Sequence, residues 1–329
     1  MKKKQMYGLI VAGVVFICVC TASMLVKSFF GGIYKDFSGS TGTSEKVHTS
    51  KYIPVLKIEG TIDESSEESG LIGTSGYNHK KILERIQEYQ DDSQNKGILL
   101  YIDSTGGSVY ASDEVYLRLM KYKKETKRPI WAYMGSYACS GAYYIAMAAD
   151  KIIANRNATT GSIGVTMETM NCQDLLKKLG VEVDYITSGA NKAMGREGKK
   201  LTKEQRKIFQ NEVNESYEQF LDVVNEGRKD LNKETIKKLA DGRTYTAKQA
   251  LSHKLIDDIK SYEDAKDSMR KEVGSAIDIE EEEDETSIMD ILKTVAVKKE
   301  KKSSDSETKE LLEYIKNRKS GGVYYEMPR

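Results

Sequence analysis

The sequence predicts an α/β fold built on a largely parallel sheet. Gly97-Ile-Leu-Leu-Tyr-Ile102 is a short, continuously apolar run bounded by turn residues, the pattern of a strand buried on both faces. Strand-like and helix-like segments alternate around it, which argues for right-handed βαβ units. Small-residue turns recur at the ends of such strands, in Asp103-Ser-Thr-Gly-Gly-Ser108, in the Ala-Cys-Ser140-Gly-Ala stretch and in Thr160-Gly-Ser-Ile-Gly-Val165.

At 329 residues the chain is long enough for one large or two modest domains with a sizeable core. Its 51 basic and 50 acidic residues nearly cancel, so nothing in the balance supports a nucleic-acid or other polyanion-binding role. The 31% of charged residues and three prolines fit a helix-rich soluble body. The four cysteines form no Cys-x-x-Cys, and no zinc ribbon or thioredoxin-type site is indicated. Cys139 and Cys172 are read as small, buried, apolar residues.

The first element follows Lys2, Lys3 and Lys4. It is an uncharged run from Tyr7 to Val26, which at ~1.5 Å per residue spans the roughly 30 Å hydrocarbon core. The exit from this run is a poor cleavage site, so it is read as an uncleaved signal anchor, with the lysines cytoplasmic and the body outside. The expected layout is a cytoplasmic N-terminus (1–6), a transmembrane anchor (7–26), a Gly/Ser/Thr-rich linker (27–50), a body (51–275) and a charged, partly disordered tail (276–329). The protein is accordingly expected in the cell membrane, as a single-pass chain with an extracytoplasmic body.

The body opens with a strand over Tyr52–Ile62 and a polar loop from Asp63 to Tyr77. Ile82, Ile86 and Tyr89 at helical spacing mark the first amphipathic helix. The buried strand over 97–102 leads to a helix carrying Val115, Leu119 and Tyr122, then a strand from Pro129 and a helix from Ser140. Lys151–Ala154 is strand-like, and beyond Val183–Thr187 comes a polar, Gly-containing stretch. Thr202-x-x-Gln205 is a capping-box signature for a long helix with Val213, Tyr217, Phe220 and Val224, and Thr246-x-x-Gln249 opens a shorter one. The body is expected to close near Val273. Beyond it come an acidic block from Glu280 to Glu285, a mostly basic block from Lys298 to Lys302, and an apolar end with Val323, Tyr324, Tyr325 and Met327. Composition alone favours a frayed end; the apolar residues also make it a candidate pseudo-substrate for an active site.

Ser140 admits two readings, a cap on the helix it opens or a nucleophile at a strand-to-helix turn. A nucleophile needs a base, and His48 in the linker, His79 among lysines and His253 in Ser-His-Lys254 all read as surface histidines. A lysine is the other route. An ordinary lysine of pKa ~10.4 is only ~0.04% neutral at pH 7, so a working base must be taken out of water. Most lysines here lie in charged clusters. Lys192 lies among Gly189, Ala190, Asn191, Ala193 and Met194, where burial is possible, though a water-facing loop lysine fits the same residues. Gly106-Gly107 presents backbone N–H groups free of side chains, as an oxyanion hole requires, but lacks the pattern of a phosphate loop. Ser162 is either an orienting group for a neutral lysine or a turn serine.

These motifs, in this order, resemble the bacterial signal peptide peptidase A family over roughly Lys51 to Lys271. The residues that carry the likeness are Ser-Thr-Gly-Gly-Ser-Val-Tyr, Met-Gly-Ser-Tyr-Ala-Cys-Ser-Gly-Ala-Tyr-Tyr, Thr-Gly-Ser-Ile-Gly-Val and Ser-Gly-Ala-Asn-Lys. The resemblance implies a Clp protease/crotonase-like ββα superhelix and a serine endopeptidase that degrades remnant signal peptides and other apolar peptides near the membrane. It implies Ser140 as nucleophile, Lys192 as general base, Gly107 and Gly141 as oxyanion donors and Ser162 as the lysine-orienting group. It implies no metal or other cofactor, and a homo-oligomer in which neighbouring protomers complete each site. Thr105 stands where the family often has proline, and Cys139 and Ala142 flank the Ser-Gly pair. Two other readings share the expected fold: a crotonase-type acyl-CoA enzyme, and a non-catalytic membrane assembly protein in which Ser140 is only structural.

Overall fold

The computed structural model describes residues 48–64 and 76–281 and the backbone of 324–326. The anchor expected over residues 7–26 and most of the tail lie outside the described residues. Among the described residues no helix is long and apolar enough to cross a membrane.

Three parallel strands form the centre: β1 (Tyr52–Ile62), β2 (Ile98–Ser108) and β3 (Ile130–Cys139), with Leu56 opposite Leu100 and Leu100 opposite Ala132. Successive residues of β2 point to opposite faces, and both faces are covered. Leu100 and Ile102 pack with Leu56, Ile58, Ala132 and Met134 on one side; Leu99 packs with Ile53, Val55, Trp131 and Tyr133 on the other. That is why the run over 97–102 is apolar at every position. Each such side chain taken from water contributes roughly 1.5–3 kcal/mol.

The first face is covered by α1 (His79–Asp91), α2 (Val109–Thr126), the short α3 (Gly141–Ala146) and the C-terminal part of α5 (Lys203–Gly227), through residues such as Ile86, Leu119, Tyr144 and Phe220. The second face is covered by α8 (Tyr262–Val273), through Ala265 and Met269. Both capping boxes form, Thr202 with Gln205 at α5 and, past the short α6 (Lys233–Leu239), Thr246 with Gln249 at α7 (Ala247–Ser252).

The sheet branches at β3. Its first half pairs with β4 (Lys151–Ala154) and its last residues, Tyr137–Cys139, pair with β5 (Thr159–Gly161), both in parallel. The outer strands are β6 (Thr244–Thr246), antiparallel to β5, β7 (Asp258–Ile259) beside β4, and β8 (Asp278–Glu281), parallel to β1. The folded part therefore runs past Val273, because residues 278–281 complete the sheet edge beside Tyr52–Val55. Glu281, in the acidic block, accepts hydrogen bonds from Tyr262 and Lys266.

An irregular arm over 166–202 holds the short helix α4 (Gln173–Lys178), and Ile186 there is fully exposed. Two expectations are corrected here. Asp103–Ser108, expected as a turn, continues the strand β2 to its end. His79 is not a surface histidine. It sits at the start of α1 and is buried, with Nδ1 2.7 Å from the Tyr77 hydroxyl and Nε2 2.9 Å from Glu114.

Candidate active site

The end of β3 sets the geometry. The strand stops at Cys139, and Ser140 adopts φ 56° and ψ −119° before α3 begins at Gly141. A β-substituted residue with positive φ carries strain of about 1–3 kcal/mol and persists only where its surroundings hold it. Here the Ser140 N–H donates to the Gly161 carbonyl at 2.8 Å, and its own carbonyl accepts from Tyr144 N–H at 2.9 Å. The side chain makes no cap hydrogen bond, and the fully buried Oγ has no hydrogen-bond partner. The cap reading of Ser140 thus has no bond to stand on.

The neighbouring residues converge on this point. Cys139 lies opposite Gly161 in the β3–β5 pair, so Ser140 and Ser162 leave adjacent strands side by side. Ser162 is buried, also has positive φ, and donates its N–H to Arg243 O at 2.8 Å. Gly107, one residue before the end of β2, lies opposite Ile62. A Cβ on Gly141 would stand 3.4 Å from the Gly107 amide nitrogen and would collide with the Ser112 hydroxyl, so the two glycines meet at the Ser140 turn. Beside Ser162 opens a cleft of about 370 Å³ lined by Gly164, Val165, Asn214, Tyr217 and Asp241 among others.

Cys139, the other potential nucleophile in this turn, is silenced by its setting. Burial pushes its thiol up to about 12, and its Sγ lies 3.4 Å from Thr159 O. Cys139 and Cys172 are both free; Cys139 is buried as expected, whereas Cys172, in the arm, is only half-buried.

The structure brings Ser140, Gly141, Gly107 and Ser162 together; Lys192 lies in the arm. Lys192 lies in a turn, its N–H donating to Gly189 O at 3.1 Å, and no hydrogen bond or ion pair joins it to Ser140. This turn rests on the first turns of α5, where Gln205 Nε2 donates to Ala190 O and Asn191 Oδ1, both at 3.2 Å. Nothing in the sequence beyond the capping-box pattern singles out Gln205.

One further strand reaches the site. β9 (Tyr324–Glu326) pairs antiparallel with the end of β2, Gly106 opposite Glu326, Gly107 opposite Tyr325 and Ser108 opposite Tyr324. β3 accompanies β2 only as far as Ser104 opposite Ala138, because the chain turns away at Ser140. β9 therefore pairs with three of the four residues of β2, Thr105–Ser108, that β3 leaves uncovered.

Gly107 cannot carry a side chain, since a Cβ would overlap the Ile62 carbonyl. Gly107→Ala is expected to lower the melting temperature by several degrees, from overpacking of about 1–3 kcal/mol, and to depress any activity of the site. A thermal melt and a peptide-ester assay on the same preparation check both.

Residues 122–276 match the family described as Peptidase family S49. A protein of Enterococcus faecium assigned by name as a signal peptide peptidase SppA is 39% identical over 245 residues, covering 73% of this chain and 70% of the relative. A protein of Synechocystis sp. named as a protease is 34% identical over 221 residues, covering 67% of this chain and 74% of the relative. Protease 4 of Haemophilus influenzae is 33% identical over 214 residues, covering 65% of this chain but 33% of that longer protein.

Proposed function

The chain belongs to peptidase family S49, and on that premise we propose that it is a membrane-anchored serine endopeptidase working through Ser140 and Lys192 on apolar peptides, remnant signal peptides among them. The observation that carries this reading is Ser140 itself: a buried, strained serine whose hydroxyl has no partner, beside the amides of Gly107 and Gly141. A structural serine in that position would satisfy its hydroxyl. The β1–β2–β3 run, with a helix after each strand, supports a Clp protease/crotonase-like superhelix.

In this reading Ser140 Oγ attacks the scissile carbonyl while neutral Lys192 takes its proton. The N–H groups of Gly107 and Gly141 hold the developing oxyanion. Lys192 returns the proton to the leaving amine as the C–N bond breaks, leaving an acyl-enzyme. Water, deprotonated by Lys192, then releases the acid and regenerates Ser140. Ser162 orients the amine of Lys192 from its place beside Ser140. The anchor over residues 7–26 keeps the site near the bilayer, where apolar peptides collect.

Lys192 reaches Ser140 from a second copy of the chain. The arm that bears it also carries Leu175, Leu179, Val181, Val183 and Ile186, an apolar surface exposed among the described residues. Hydrolysis of small-residue peptide esters by the full chain in detergent tests the reading, with Ser140→Ala and Lys192→Ala alongside. Full activity in either variant overturns it.

The pairing of β9 with Gly106–Ser108 supports the tail as a resident pseudo-substrate, laid where an extended peptide would add a strand. Removing residues 322–329 is expected to raise kcat/KM on a peptide ester several-fold, and a peptide of sequence Gly321–Arg329 to inhibit the shortened enzyme competitively. Unchanged kinetics on truncation, with no inhibition by the peptide, would sink the pseudo-substrate role while leaving the peptidase reading intact.

A further inference from the structure

Gln205 has more partners than a capping box requires. Its Oε1 accepts the Thr202 N–H at 3.1 Å, and its own N–H donates to Thr202 Oγ1 at 3.1 Å, which completes the cap of α5. Its Nε2 points the other way, toward Ala190 O and Asn191 Oδ1 at 3.2 Å each. This orientation of the amide is the only one that works, because a flipped group would set oxygen against two acceptors and nitrogen against a donor. Gln205 is 2% exposed, so both donated bonds are partly sheltered from water.

The two accepting residues immediately precede Lys192. One helical turn beyond Gln205, Phe209 closes on the other end of the same loop; a Cβ on Gly195 would stand 3.2 Å from its ring. Residues four apart share a helix face, so Gln205 and Phe209 form one seat for the loop over 189–195. The loop thus takes its position from α5, whose far end is anchored in the core by Phe220, Leu221 and Val224.

We propose that Gln205 is a positioning residue for Lys192, fixing the backbone from which the lysine reaches toward Ser140. The proposal rests on Lys192 being the general base. A displacement of about 1 Å in a reacting group can cost roughly 100-fold in rate, so the clamp acts on turnover more than on substrate binding.

Capping and clamping separate in one substitution. Gln205→Glu keeps an acceptor for the Thr202 N–H, glutamate being an ordinary capping-box residue, but an ionised carboxylate has no donor for Ala190 or Asn191. In the full-length chain, Gln205→Glu is expected to lower kcat on a peptide ester roughly 10- to 100-fold, with KM within about twofold. Gln205→Leu, which loses both roles, is expected to show the same loss in kcat together with a lower melting temperature. Wild-type kcat in Gln205→Glu, with Lys192→Ala inactive, overturns the positioning role alone. Full activity in Lys192→Ala overturns the base assignment and this proposal with it.

Discussion

Ser140→Ala is expected to abolish peptide hydrolysis while leaving the protein as stable as before or more so. Loss of a nucleophile that works as a unit with its base removes about 1,000-fold or more of the rate. The stability half of the expectation comes from the site's own geometry. Ser140 Oγ is buried with no partner, and an unsatisfied buried hydroxyl costs about 1–3 kcal/mol, a cost the methyl group of alanine does not carry. Ser140→Gly should also relieve the strain of φ 56°, offset in part by about 0.5–1 kcal/mol of backbone entropy. Both variants should be inactive, and neither should melt below the parent chain. A drop of several degrees in Ser140→Ala would show that the hydroxyl is structural. Activity within tenfold of the parent would remove Ser140 from the mechanism.

That trade of stability for reactivity could not be read from the sequence, although the turn itself could. The buried strand over 97–102, the capping boxes at Thr202 and Thr246, and the turns holding Ser140 and Ser162 are local patterns, and they stand where periodicity and small residues put them, whereas the Gly106-Gly107 stretch, expected as a turn, extends β2 to Ser108. What local pattern misses is set by partners distant in the chain. His79 looked solvated beside Lys80 and Lys81, yet Tyr77 and Glu114, the latter 35 residues away, bury and bond it. In turn the His79 hydrogen bond holds the Glu114 carboxyl below its usual range, although that group remains largely open to water. Gln205 was visible as a cap and invisible as a clamp, because its second set of bonds goes back 14 and 15 residues to a loop without regular structure.

Co-expressing Ser140→Ala chains with Lys192→Ala chains should restore activity that neither has alone. Each chain then lacks one of the two groups, so no site completed within a single chain can work. If the arm of one protomer serves the Ser140 of the next, a neighbour carrying Lys192 meets an intact Ser140 in about one quarter of randomly assembled sites, by the logic of a heterologous interface. The physical case lies in the arm. Among the described residues no hydrogen bond or ion pair carries Lys192 to Ser140, and five large apolar side chains stand in water along residues 175–186. Burying each against a neighbour contributes roughly 1.5–3 kcal/mol, enough together to offset the ordering of the arm. The same docking would take the lysine out of water, the condition under which an amine can serve as a base. Activity in co-expressed assemblies near a quarter of the parent's, absent when separately purified variants are assayed at dilutions that prevent exchange, is the expected result. Failure to complement in verified mixed assemblies would place Lys192 on the Ser140 of its own chain, through a movement of the arm over residues 166–202.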